Sequence, residues 1–114
     1  MPEETQGLWR DYRRTRDQHI RDRLILTYAP LVKYVAGRLG SGLPAHVDEG
    51  DLVSYGLLGL MGAIDRFDPS RDIKFETFAI ARIKGAIIDE LLAEQEGKGY
   101  GEDEGERDEA IEDE

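Results

Sequence analysis

The 114-residue chain has no cysteine, only two histidines and one tryptophan, and four prolines. Without cysteine there is no disulfide and no thiolate for a metal or cluster, so a packed apolar core must hold the fold. His19 and His46 lie far apart and have no ligand-like neighbours, so no metal site is expected. No run approaches the roughly 18 apolar residues of a membrane span, and "MPEETQGLWRDYRRTRDQ" has no apolar signal core. The protein is therefore expected to be soluble and cytoplasmic. Enzyme signatures are missing too: no Ser/His/Asp order, no Gly-rich phosphate loop after a strand, and acids such as Asp89–Glu90 that read as solvated helix residues. No catalytic residues are expected.

What is present is charge, unevenly placed. The net charge is −10, but residues 101–114, "GEDEGERDEAIEDE", carry nine acids against one Arg, a net −8. Residues 10–38 hold eight basic side chains (Arg10, Arg13, Arg14, Arg16, Arg21, Arg23, Lys33, Arg38) against three acids, a net +5. A nearly neutral body with a cationic front leaves nucleic acid open as a partner, whatever the sign of the total.

Apolar residues recur at helical spacing almost throughout, with no sustained strand-like alternation. A first helix is expected from about Thr5 to His19, with Leu8, Trp9 and Tyr12 as its stripe. A second covers about Arg21–Leu39 on Leu24, Tyr28, Leu31, Val35 and Leu39, with a kink or break at Pro30. After the loop "GSGLPAH", "VDEGD" opens a third helix with acids at its positive end; its face is Val53, Leu57, Leu60, Ile64 and Phe67. "FDPSRD" ends it, and a fourth helix follows from about Phe75 to Leu92 on Phe75, Ala79, Ile83, Ile87 and Leu91. The fold class is thus all-α, a compact bundle of about four helices over residues 5–96. Residues 97–114 have too little apolar surface to offset their ordering entropy and are expected to form a disordered acidic tail. A second reading of the tail is a phosphate mimic that competes with DNA for the cationic helices and weakens with salt.

Two features of "DLVSYGLLGLMGAIDRFDPSRDIKFETFAIARIKGAIIDEL" (51–91) ask for explanation. Gly56, Gly59 and Gly62 each cost about 1 kcal/mol relative to Ala inside a helix. Either the helix packs closely on a neighbour in its own domain, or part of it, beginning at Asp51, receives a partner helix. Tyr55, Leu58 and Met61 lie off the main apolar face, and an exposed strip of that kind suits helix-in-groove recognition. Phe75 and Phe78, one turn apart, stand among Arg71, Lys74, Arg82 and Lys84. Both rings can be core. If Phe75 is core, Phe78 lies about 60° away and can sit at the surface. There a ring with neighbouring cations is a single-strand stacking platform, worth about 1–3 kcal/mol per base.

This same string resembles region 2, the core-binding and promoter-melting region of bacterial RNA polymerase sigma factors, of the FliA/WhiG-like flagellar and sporulation type. "RDRLILTYAPLVKYVAGRLGSGLP" resembles the segment before it, so the likeness spans about residues 8–91. The pattern D-L-x-x-x-G-x-x-G-L-x-x-A-I-x-x-F-D followed by K-F-x-T-F-A carries it. The resemblance implies a helical region 2-like module that binds core RNA polymerase through a coiled coil of its largest subunit and recognises and melts the promoter −10 element. It implies Asp51, Ser54, Tyr55, Gly56, Leu57, Leu58 and Met61 as the polymerase- or anti-sigma-binding positions. It implies that Phe78 stacks on a flipped-out −10 base, that Arg71, Lys74 and Arg82 contact phosphate or base, and that Lys84 and Ile88 face the upstream edge of the element. An alternative is a protein-interaction domain sequestered by an anti-sigma factor, with little DNA binding of its own. No cofactor is implied; the association of WhiG-like members with cyclic di-GMP runs through the anti-sigma partner. Ala81 and Arg82 replace the tryptophan pair of housekeeping relatives, so the wedge against duplex DNA is expected to be weak. "LAEQEGKGYGEDEG" stands where the family continues into a basic stretch and two further helical domains, so reading of the −35 element is not expected.

Overall fold

A computed structural model describes residues 2–97, which form four helices and no strand: α1 (Glu3–Thr15), α2 (Gln18–Gly40), α3 (Glu49–Arg66) and α4 (Phe75–Gly97). The acidic tail expected over 97–114 lies, beyond Gly97, outside the described residues.

Several helix boundaries have a local cause. Glu3 and Glu4 in the first turn of α1 and Arg13 and Arg14 in the last complement its dipole. Arg16 then takes φ 55°, the only positive φ at a described non-glycine residue, while its N–H closes on the Tyr12 carbonyl at 2.8 Å. That left-handed turn costs about 1–2 kcal/mol for a residue with a Cβ. Asp17 caps α2 by accepting from the N–H groups of His19 (2.8 Å) and Ile20 (3.3 Å). The first helix therefore ends four residues before the expected His19, because Asp17 is a cap and not a helix interior. Asp48 caps α3 through the Gly50 N–H at 2.9 Å.

α2 runs through Pro30 as one helix, so of the expected kink or break the break does not occur. Pro30 cannot donate to the Leu26 carbonyl, but both residues are exposed, and water can take the vacant bond. The core face of α2 also differs in part from expectation: Val32 and Ala36 are buried, and Leu31 and Leu39 are half-buried at its margin. On α3 the expected face slips by one position in its first half. Leu52 and Gly56 are buried where Val53 and Leu57 were expected, and Leu60, Ile64 and Phe67 follow as expected. A stripe read from side-chain size passes over a buried glycine.

The core has two parts. At one end Trp9, Tyr28, Phe67 and Phe75 form a ring cluster with centroids 4.5–6.3 Å apart. Each such pair is worth about 0.5–1.5 kcal/mol beyond the area it buries. The Trp9 indole N–H donates to the Tyr28 hydroxyl at 3.2 Å, so neither polar atom is left unpaired. Burial pushes the Tyr28 phenol above its ordinary value. Along the rest of the bundle, Val32, Leu52, Leu60, Ile83 and Ile87 pack where α2, α3 and α4 meet.

Two glycines make that meeting close. A Cβ on Gly56 would lie 2.9 Å from Val32 Cγ1 and 3.1 Å from Ile83 Cγ2. On Gly59 it would lie 2.6 Å from the Arg82 carbonyl oxygen and 2.9 Å from Ile83 Cα. The notch in α3 is filled by the domain's own helices, so the first of the two glycine readings holds at these positions. Gly62 turns away from α4 and would meet only the mobile end of Arg66, at 3.2 Å.

Candidate nucleic-acid cleft and docking face

The segment joining α3 to α4 builds a cleft. Phe67 leaves α3 with an extended backbone, anchored by its N–H to the Ala63 carbonyl at 2.9 Å. Asp68 folds the next turn, accepting from the Ser70 N–H (3.0 Å) and hydroxyl (2.7 Å). Those bonds, with Arg13 adding to them, hold the Asp68 carboxyl below the ordinary range. Between this segment and the first turn of α4 lies a cleft of about 430 Å³, lined by Arg66, Phe67, Asp68, Arg71, Asp72, Ile73 and Phe78. Apolar rings, two guanidinium groups and two carboxylates thus converge on one opening.

Phe78 is half-buried: its ring packs on Phe67, with centroids 5.7 Å apart, and the Arg82 guanidinium lies 4.8 Å from its centroid. Arg82 is itself exposed, and a cation–π contact of that kind is worth about 0.5–1 kcal/mol. Such a contact is no stronger than the ~1–3 kcal/mol typical of a base stacked on an aromatic ring.

Of the residues assigned to DNA from sequence, the structure gathers Arg71, Phe78 and Arg82 at the cleft. Lys74 sits in an adjoining hollow with Pro69, Ile73 and Glu76. Lys84 and Ile88 do not join them. Lys84 is exposed farther along α4, and Ile88 belongs to a separate groove with Leu43, Val47, Tyr55, Leu91 and Leu92. By helix geometry they lie about 120° and 80° from Phe78, too far round to share its cleft. Sequence reading missed Arg66, Phe67, Asp68, Asp72 and Ile73, because the segment around "FDPSRD" reads mainly as a helix stop and Phe67 as a core ring.

The docking set on α3 divides in the same way. Asp51, Ser54 and Leu58 face outward, with Leu58 60% exposed. Tyr55, Leu57 and Met61 are half-buried at the edges of that strip. Gly56 is the exception: it is buried in the domain's own core and presents nothing to a partner. The Tyr55 hydroxyl donates to the Glu94 carboxylate, which raises the phenol to about 12 and ties α3 to the far end of α4.

Residues 24–96 match the Sigma-70 region 2 family. The chain belongs to the Sigma-70 region 2 family. It is 50% identical over 91 residues to the RNA polymerase sigma-D factor of Bacillus subtilis, covering 80% of this chain and 36% of that one. With the RNA polymerase sigma factor FliA of Pseudomonas aeruginosa it shares 42% identity over 82 residues, 72% of this chain and 33% of that one. Among solved structures it is similar to a chain of the flagellar sigma/anti-sigma complex Sigma-28/FlgM, with 43% identity and a TM-score of 0.61 over 67% of this chain and 32% of that one. The chain thus spans about a third of the length of these relatives. The region 2 match leaves α1 and the α1–α2 turn outside it. No helix among the described residues is long and apolar enough to cross a membrane.

Proposed function

We propose that this region 2 protein is a module of an alternative sigma factor. It docks on core RNA polymerase through the outward strip of α3 and captures an unpaired base of the promoter −10 element in the cleft at Phe78. It is a non-enzymatic initiation module acting in the cytoplasm, and its binding energy comes from helix docking, base stacking and phosphate neutralisation. The observation that carries the reading is the cleft: a half-exposed ring under a displaceable arginine, beside carboxylates able to accept from a base's exocyclic amine and a guanidinium able to reach phosphate.

The test is binding of a fluorescent −10 non-template oligonucleotide to the polymerase complex. Phe78→Ala is expected to lower affinity at least several-fold with helicity unchanged. Normal affinity in a folded variant would remove base stacking from the account.

A second reading has its own support. Leu58 stands open on α3, and the similar solved chain was crystallised with the anti-sigma protein FlgM. An anti-sigma factor covering the α3 strip would sequester the module from polymerase. Competition between an anti-sigma protein and core polymerase for the chain tests it. Simultaneous binding of both to the α3 strip is what it forbids.

A further inference from the structure

The wall of the cleft opposite α4 is held from a distance. The last turn of α3 carries Asp65, whose carboxylate takes three hydrogen bonds from two other elements. Tyr12 donates its hydroxyl at 2.6 Å, and Arg21 donates through Nε and Nη2, both at 2.9 Å. Arg16 donates to the Asp65 backbone carbonyl at 3.2 Å, from the left-handed turn between α1 and α2. Arg13 reaches the Asp68 carboxylate at 3.1 Å. None of Tyr12, Arg13, Arg16 and Arg21 lines the cleft, yet the three residues that follow Asp65 do: Arg66, Phe67 and Asp68.

The electrostatics match the geometry. Arg21 holds the Asp65 carboxyl below its ordinary value, with Tyr12 and Arg16 adding to the effect. Burial and the Asp65 carboxylate together push the Tyr12 phenol up. A bidentate, charge-assisted pair is directional as well as strong, so it fixes both position and rotation of the group it grips. Arg16 keeps a backbone conformation that a residue with a Cβ adopts only where its surroundings dictate it.

We propose that Asp65 is a positioning residue for base capture. The grip of Tyr12 and Arg21 on its carboxylate sets the distance between the Arg66–Asp68 wall and the Phe78 ring. Helix α1 and the α1–α2 turn then determine how well the cleft holds a base without touching nucleic acid themselves. The inference rests on the reading of the cleft given above.

The experiment uses the full chain with core polymerase, the intact −10 oligonucleotide, and the same strand made abasic at the captured position. Asp65→Asn and Tyr12→Phe are each measured alone and combined with Phe78→Ala. Each single variant is expected to weaken binding of the intact strand about three- to tenfold, within the range of coupled neighbours. Affinity for the abasic strand and the salt dependence of binding stay at wild-type values, because the phosphate contacts are untouched. Combined with Phe78→Ala, neither substitution lowers affinity further.

A loss that is equal for intact and abasic strands would overturn the proposal, since a clamp that only holds the fold would act on both. So would the same loss repeated in the Phe78→Ala background, or no loss from either variant. Should Asp65→Asn fail to fold, Tyr12→Phe removes a single hydroxyl and decides alone. If Phe78→Ala itself fails to erase the preference for the intact strand, the cleft reading falls and this inference with it. If it erases the preference while Tyr12→Phe and Asp65→Asn change nothing, only the positioning role falls.

Discussion

Replacing Gly59 by alanine tests the packing of α3 on α4 at a point where α4 backbone atoms lie within 3 Å of the added Cβ. The substitution gains about 1 kcal/mol of helix propensity. Against this, the new methyl would start 2.6 Å from the Arg82 carbonyl oxygen, 2.9 Å from Ile83 Cα and 2.9 Å from Ala86 Cβ, where ordinary contacts begin at 3.4 Å. Two of these neighbours are backbone atoms, so no rotamer change relieves the clash and the helices must move apart. Overpacking of this kind costs about 1–3 kcal/mol, and the rigid neighbours place it at or above the upper end. The net expectation is a loss of about 2 kcal/mol or more, or roughly 8–16 °C and upward in Tm for a domain of this size. Gly85→Ala is the control: on α4, nothing lies within 4 Å of its Cβ position, so it should stabilise by up to about 1 kcal/mol. The assay is urea unfolding followed by helical circular dichroism, with midpoints compared at constant m-value. A Gly59→Ala protein as stable as wild type, with Gly85→Ala stabilised, would show that α3 and α4 do not approach as described.

Three further outcomes are expected. The Asp65 carboxyl is held below its ordinary value when folded, so its contribution to stability is complete above the unfolded carboxylate range, about pH 4, and fades as pH falls toward the folded value. The gap in unfolding midpoint between wild type and Asp65→Asn should therefore be wide at pH 7 and shrink progressively as pH falls below about 4; a gap independent of pH would contradict the pairing. Glu94→Gln should bring the Tyr55 phenol down from about 12 toward its ordinary value, read by ultraviolet titration against a Tyr55→Phe control. No movement would mean that the Tyr55–Glu94 bond is absent in solution. Leu58→Asp, at a side chain 60% exposed, should leave stability within about 0.5 kcal/mol of wild type while weakening capture of core polymerase or an anti-sigma protein; undiminished pull-down would count against the α3 strip.

The four helices were legible in the sequence because side-chain size repeats at helical spacing, most clearly along Phe75, Ala79, Ile83 and Ile87, all of which are buried. Half of the α3 face was not, since Gly56 has no side chain to mark it as core, and Leu57 beside it is large without being fully buried. Phe78 was legible as the ring one turn from a core ring. Arg71 was legible beside it, but Arg66, Asp68 and Asp72 were not: they gain their meaning from a turn that brings them to α4, and polarity in a turn is what any solvated loop shows. The α1 contacts were invisible for a different reason. Tyr12 and Asp65 are 53 residues apart, and nothing local to either one announces the other.

Because Trp9 supplies one of the four rings in the aromatic cluster, a fragment trimmed to the boundary of the family match at Leu24 would be damaged. It would uncover the inner faces of Tyr28, Phe67 and Phe75 and strand the Asp65 carboxylate. Such a piece would self-associate or bind a hydrophobic dye, and its failure to engage promoter DNA would say nothing about the α4 surface. Dissection of this module has to begin upstream of Glu3.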